Sequence, residues 1–431
     1  MSCYDEYMKK ILLFLLVVGV FVGGVFFGKG VLDKEDKQTV VENKYVAFVD
    51  ELYGVVMENY WNVLTDEQLV DLFVLATDNI TGVNNTTKKT KDDFLKTIEG
   101  VVNRYDEEQK KKEFVLALGD LVLSNLEPFG RSRLYSHVEE KALSDVVTNK
   151  TEEDRYENLG VDKNAGAEEI KKAYEEESKK WDPAVNKSPE AEEKYEKIQQ
   201  AYKTLSDPVS KSNYDVAGVE PTIDYRLIDD SIFYVHLNKF SPNSFDEMQR
   251  VFEKVNGKAG VNSLILDLSG NIGGAIDGLP YFLGPFIGNN QYAYQFLSRG
   301  KTDDYKTKTG WLPSLVQYKK VIILIDENSQ STAEVMASVL KKYNVGVVLG
   351  RKTKGWGTVE RVFPLQTKFE EGESFSAFLV HTLTLREDAL PIEGNGVEPM
   401  ISLDDKNWKN HLLDYFDSPD LVKAVEEVWS K

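Results

Sequence analysis

Cysteine is all but missing. A single one, Cys3, stands in 431 residues, so no internal disulfide can form and no cysteine-rich metal site exists. Histidine is scarce too. His137, His236, His381 and His411 are scattered without the spacing of metal ligands, and His236 lies in an apolar, strand-like run that suits a satisfied core residue. A Ser-His-Asp triad stays open, though nothing points to one. Basic residues are outnumbered, 52 Lys and Arg against 71 Asp and Glu. The resulting net charge of -19 excludes the basic face that a nucleic-acid backbone requires, and the acidity reads as solubility. No metal, cofactor or nucleic-acid partner is expected. What is present is ordinary for a globular chain of two to four domains: 42% hydrophobic and 29% charged residues.

Long apolar runs are lacking, with one exception. Ile11 to Phe27 is unbroken, preceded by Lys9-Lys10 and ended by Lys29. Its length is at the short end for a membrane span. A signal peptide is the rival reading, but no small-x-small cleavage site follows. The lysine pair favours a cytoplasmic amino end, so the expectation is an uncleaved single-pass anchor with the bulk of the chain outside the cytoplasm. Met8 offers an alternative start.

The rest is organised around Val321 to Glu360. Val321-Ile-Ile-Leu-Ile325 is too short for a helix and β-branched, as befits a strand buried on both faces. A polar turn follows, then Ala333, Met336, Val339 and Leu340 at helical spacing, then a second buried run from Val345 to Leu349. Strand, turn, helix, strand is a βαβ crossover in a mostly parallel sheet. Ser331 falls where strand gives way to helix. There a hydroxyl is presented beside backbone N–H groups able to hold an oxyanion, although a lone Ser-Thr pair would equally serve as a helix cap.

The frame Asn328-Ser-Gln-Ser331-Thr-Ala-Glu334, followed by Gly350-Arg-Lys-Thr353-Lys-Gly355-Trp356-Gly357-Thr-Val359-Glu360, resembles the nucleophile segment of the carboxyl-terminal processing (tail-specific) serine peptidases. The resemblance implies a crotonase-like α/β core with Ser331 as nucleophile. It places the general-base lysine of the Ser-Lys dyad on Trp356, the assisting glutamine on Glu360 and a helical aspartate on Lys342. An indole only donates and cannot act as a base. Lys354, two residues before Trp356, shares its face if the segment is extended and is the candidate for a displaced base. Upstream, the strand Ser263-Leu-Ile-Leu-Asp267-Leu268 runs into Ser269-Gly-Asn271-Ile-Gly273-Gly274, similar to the family's D-L-R-x-N-x-G-G. The oxyanion role is carried to Gly273 and Gly274 without choosing between them. Pro391-Ile-Glu-Gly394-Asn-Gly396-Val-Glu398-Pro399 matches the closing signature.

Residues 33 to 150 read as helical, with Phe48, Leu52, Val55, Val56 and Tyr60 at helical spacing. Leu52 to Trp61 is similar to the family's opening helix, and Glu127-Pro128-Phe129-Gly130 stands at its Asp-Pro-aromatic-Ser turn. Where the family carries a PDZ module, this chain differs. Tyr156 to Asp215 closely resembles a J domain: one helix bears Ile170, Ala173, Tyr174 and Trp181, and a second, capped by Ser188, bears Tyr195, Ile198, Tyr202 and Leu205. The His-Pro-Asp that J domains use on their chaperone reads Asp182-Pro183-Ala184 here, so the resemblance implies the fold without the co-chaperone activity.

The reading is therefore a membrane anchor (1–30), a helical amino-terminal domain (31–150), a J-like helical module (151–217) and an α/β core of parallel βαβ units (218–431). The expected function is a tail-specific serine peptidase homologue, impaired in catalysis, that binds extended or C-terminal peptide segments of other proteins. The alternatives are an active endopeptidase using Ser331 with Lys354, and a membrane-tethered chaperone adaptor working through the J-like module.

Overall fold

The computed structural model describes residues 43–84, 90–386 and 388–430. The apolar run expected to cross a membrane, and Cys3, lie outside these. No helix among the described residues is long and apolar enough to span a bilayer.

Four helices open the described chain: α1 (Lys44–Asn59), α2 (Asp66–Thr81), α3 (Lys91–Val102) and α4 (Glu108–Ser124). Thr65 caps α2 by a reciprocal box with Gln68, and Thr90 caps α3 through the Asp93 N–H, so both starts are set locally. Strand β1 (Arg133–Ser136) and α5 (His137–Val147) follow. The inserted module holds α6 (Arg155–Leu159), α7 (Ala167–Trp181), α8 (Ala191–Ser206) and α9 (Pro208–Ala217). Its two long helices meet through aromatic faces, the Tyr174 and Tyr202 rings stacking at 3.9 Å. Helix α8 starts at Ala191 rather than at Ser188, whose hydroxyl caps nothing.

The remainder alternates strand and helix: β2 (Ile223–Ile228), β3 (Ile232–Leu237), α10 (Ser244–Glu253), β4 (Ser263–Asp267), α11 (Leu279–Ile287), β5 (Tyr292–Ser298), β6 (Lys301–Lys306), α12 (Pro313–Val316), β7 (Lys320–Ile325), α13 (Thr332–Lys342), β8 (Val347–Gly350), β9 (Thr358–Pro364), β10 (Phe375–Leu385), β11 (Ile401–Ser402), α14 (Trp408–Phe416) and α15 (Pro419–Trp429). Six strands form one sheet in the order β11-β8-β7-β4-β3-β2, parallel except for the β2–β3 hairpin. The expected βαβ crossover is β7-α13-β8. Ile323 and Ile325 point into the core shared with α10, α11 and α13, while Ile322 and Leu324 point into a second core under α14 and α15. A strand with helices on both faces must be apolar throughout, which is why β7 reads as an unbroken run.

The second sheet is antiparallel, in the order β1-β10-β5-β6 with β9 also on β10. Phe369, Ala377 and Leu379 from this carboxyl-terminal half share one core with Phe48, Leu52 and Phe114 of the opening helices. The amino-terminal helices are thus closed by a strand from the far end of the chain.

Candidate active site

Three loops converge at the carboxyl ends of neighbouring parallel strands, after β4, β7 and β8. This is where an open α/β sheet leaves a crevice. The first two are laced together. Asp326 Oδ1 accepts from the Gly270 and Ser329 N–H groups, each at 2.8 Å. The Gln330 N–H reaches the Asn271 carbonyl at 2.9 Å, and Ser329 Oγ donates to the Leu268 carbonyl at 2.7 Å. The Lys354 N–H bonds the Ser329 carbonyl at 3.1 Å and brings in the third loop.

Ser331 stands at the junction with α13, half-buried, at φ 56° and ψ -123°. A non-glycine residue held there costs on the order of 1–3 kcal/mol, and such strain gathers where a side chain must be presented. Glu334 holds the turn. Its buried carboxylate accepts from the Ser331 N–H at 2.9 Å, from the Gly355 and Trp356 N–H groups at 2.7 Å, and from Thr353 Oγ1. Burial pushes the Glu334 carboxyl above its ordinary range, and these donors oppose the rise. One side chain fixes both the serine and the loop that faces it.

The two glycines differ. A Cβ on Gly273 would lie 2.6 Å from Ser331 Cβ, so only glycine lets the loop approach the serine this closely. Its N–H, however, is taken by Asn271 Oδ1 at 2.8 Å. Gly274, at φ 132°, packs against the Phe240 carbonyl and offers its own carbonyl to Thr332 Oγ1 at 2.9 Å. Its N–H bonds to no group among the described residues.

No lysine, histidine or carboxylate among the described residues hydrogen-bonds Ser331 Oγ. His236 bonds the Ser269 carbonyl at 3.0 Å and His381 the Asn59 carbonyl at 2.9 Å; His411 pairs with Asp405. Trp356 is half-buried rather than enclosed. The Arg131 guanidinium lies 3.4 Å from its ring centroid and the ammonium of exposed Lys354 lies 5.3 Å from it. Its Nε1–H reaches Glu360 at 3.4 Å. Arg131 also pairs with Glu393 at 3.0 Å, and the second Glu393 oxygen accepts from the Gly357 N–H at 2.8 Å. The segment around Lys354 is not extended, because Gly355 turns it at φ 80°. Lys342 sits on the surface over the Tyr292 ring.

Sequence reasoning missed Glu334 and Arg131. The first was legible, because its place three residues after Ser331 is the spacing of a capping box. The second was not. Arg131 follows the Glu127–Gly130 turn, which Trp61 Nε1 anchors at 2.7 Å through the Glu127 carbonyl, and nothing local joins it to Trp356. Among the described residues no cluster could hold a metal ion.

Comparison with known proteins bears out both resemblances. Residues 231–403 match the family model of peptidase family S41, and residues 154–215 match that of the DnaJ domain. The DnaJ chaperone of Halalkalibacterium halodurans is 52% identical over 65 residues, 15% of this chain and 18% of that protein. The DnaJ of Streptococcus pneumoniae strain R6 is 56% identical over 63 residues, 15% of this chain and 17% of that protein. The chain thus spans less than a fifth of the length of these curated relatives. Among solved structures, a photosystem II D1 C-terminal processing protease is 14% identical, with a TM-score of 0.48, covering 84% of this chain and 94% of that one. A lipoprotein from Streptococcus agalactiae is 12% identical, with a TM-score of 0.46, covering 90% and 99%.

Proposed function

We propose that this chain, whose residues 231–403 carry the S41 peptidase domain, binds extended or C-terminal peptide segments without efficient cleavage. The observation that carries the reading is that Ser331 Oγ has no basic partner while the indole of Trp356 occupies the lysine position. A serine hydroxyl is a weak nucleophile until a neighbouring group takes its proton, and neither indole nor guanidinium can do so. The rest of the cleft suits recognition. The free Gly274 N–H, beside the amino end of α13, can hold a peptide carbonyl, and in a catalytic relative the same donor would hold the oxyanion.

The rival is cleavage by Ser331 with Lys354 as displaced base. It requires that ammonium to leave the Trp356 face and lose its solvent exposure. Turnover of an unstructured protein with an apolar tail separates the two, comparing the parent with Ser331→Ala and Trp356→Lys. The binding reading expects no cleavage by the parent and partial restoration by Trp356→Lys. Parent cleavage that Ser331→Ala abolishes overturns it. The adaptor reading is weakest, since Asp182-Pro183-Ala184 lacks the ring and the carboxylate of the chaperone loop; ATPase stimulation at saturating protein would revive it.

The membrane anchor over residues 11–27 rests on the apolar run and its flanking lysines. Full chain in alkali-washed membranes, with a chain starting at residue 31 released to the supernatant, is the expected result. Release of both removes the anchor.

A further inference from the structure

Around the Trp356 ring the charge runs against that of the chain, whose net charge is -19. The Arg131 guanidinium lies 3.4 Å from the ring centroid and the Lys354 ammonium 5.3 Å from it. Glu393 answers only part of this. One of its oxygens accepts from Arg131 Nε at 3.2 Å and Nη2 at 3.0 Å, and the other is taken by the Gly357 N–H at 2.8 Å. Arg131 Nη1 and Lys354 Nζ have no hydrogen-bond or ion-pair partner among the described residues. Two more carboxyls bond Trp356 itself, Glu334 at the backbone N–H and Glu360 at Nε1. Both are buried, and burial pushes both above the ordinary range, towards the neutral form. Two like charges therefore share one indole with a single charged carboxylate beside them.

This group stands beside the serine. The Ser331 and Trp356 N–H groups donate to the same Glu334 oxygen, at 2.9 and 2.7 Å, so their nitrogens lie no further apart than those two distances laid end to end. The glycine loop, with its free Gly274 N–H, touches the same serine. An extended peptide advances about 3.3 Å per residue. With one carbonyl held at Gly274, a side chain about one or two residues along comes within reach of both cations.

We propose that Arg131 and Lys354 form an acid-reading subsite, which selects peptide segments bearing an internal Asp or Glu side chain next to the carbonyl held at Gly274. Three features choose this ligand. Glu393 already takes the Nε and Nη2 edge of the guanidinium, so the fork that would grip a phosphate is closed. One remaining guanidinium nitrogen and one ammonium match the two oxygens of a single carboxylate. Trp356 supplies a flat apolar floor between them, along which the methylenes of a Glu side chain can lie. The proposal rests on the reading of the Ser331 cleft as a peptide-binding site and adds its selectivity.

The test is titration calorimetry of the full chain, in detergent, with octapeptides of alternating valine and threonine. Each is acetylated and amidated, so no terminal charge remains, and carries Glu, Gln or Lys at its fifth position. The Glu peptide should bind about tenfold or more tightly than the Gln peptide, and the Lys peptide most weakly. Lys354→Glu changes an exposed side chain and should melt as the parent does. In it the advantage of Glu over Gln should fall by about fivefold or more, and the Lys peptide should gain. Arg131→Gln should reduce the same advantage. Glu and Gln peptides binding the parent within about twofold of each other overturn the proposal and leave the peptide-binding reading standing. So does an advantage unchanged in both variants. A free carboxyl terminus that lifts the Gln peptide to the level of the Glu peptide would overturn it too, because the cations would then read a chain end. Failure of all three peptides to bind the parent overturns the peptide-binding reading and the subsite with it.

Discussion

Trp356 and Glu360 satisfy each other where the family places a lysine and a glutamine. Burial pushes the Glu360 carboxyl above its ordinary value of 4.5, more than its donors Thr358 and Trp356 lower it. The folded chain therefore holds a proton that the unfolded chain gives up. That contribution to stability is fully present below about pH 4.5 and is lost as pH rises through the raised folded-state value. Glu360→Gln should flatten the fall in melting temperature as pH rises above about 4.5, measured by thermal melts across pH. Parallel curves for parent and variant would remove Glu360 as the source. At this scale the sequence was generous where spacing is local: Ser331, the glycine pair and Trp356 were placed by counting along one loop each. It could not say which glycine keeps a free N–H, because that depends on where the Asn271 side chain turns.

Among elements, a buried ion pair ties the first helix of the inserted module to the segment that follows it. Arg155 Nε and Nη2 grip Glu220 at 2.5 and 3.0 Å, with Thr204 Oγ1 on the same carboxylate at 3.2 Å. Both residues are nearly inaccessible, at 6% and 7% exposure. Removing one partner leaves a buried charge unmatched and costs about 3–5 kcal/mol. Arg155→Met alone should expose the amides of 155–217 to hydrogen exchange, and Arg155→Met with Glu220→Leu should recover much of the loss. Equal exchange in all three proteins would show that the module is held by other contacts. The module itself was legible from its aromatic stripes, and β7 from its apolar run. Strand β1 was not. Its four residues carry no alternating pattern, and they are a strand only because β10 lies beside them.

At the scale of residues 43–430, an early segment is closed by a late one. Ser132 Oγ bonds the Val380 N–H across 248 residues, and β1 pairs with β10 along Arg133 to Ser136. The opening helices have no complete core until β10 and Phe369 arrive. A chain ending at Phe363 should therefore leave α1 to α4 open to protease, while the full chain protects them; equal protection would show that the helices stand alone.

The small insert closes on itself near its own ends. Lys150 bridges Val219, and the Thr151 N–H meets the Gly218 carbonyl at 2.9 Å. During synthesis these two habits set opposite clocks. The insert can finish while the ribosome is still making the sheet that follows. The opening helices must wait on the order of ten to fifty seconds at about 5–20 residues per second before their closing strand exists. For that interval the faces of α1 and α4 that pack against β10 and Phe369 stay uncovered.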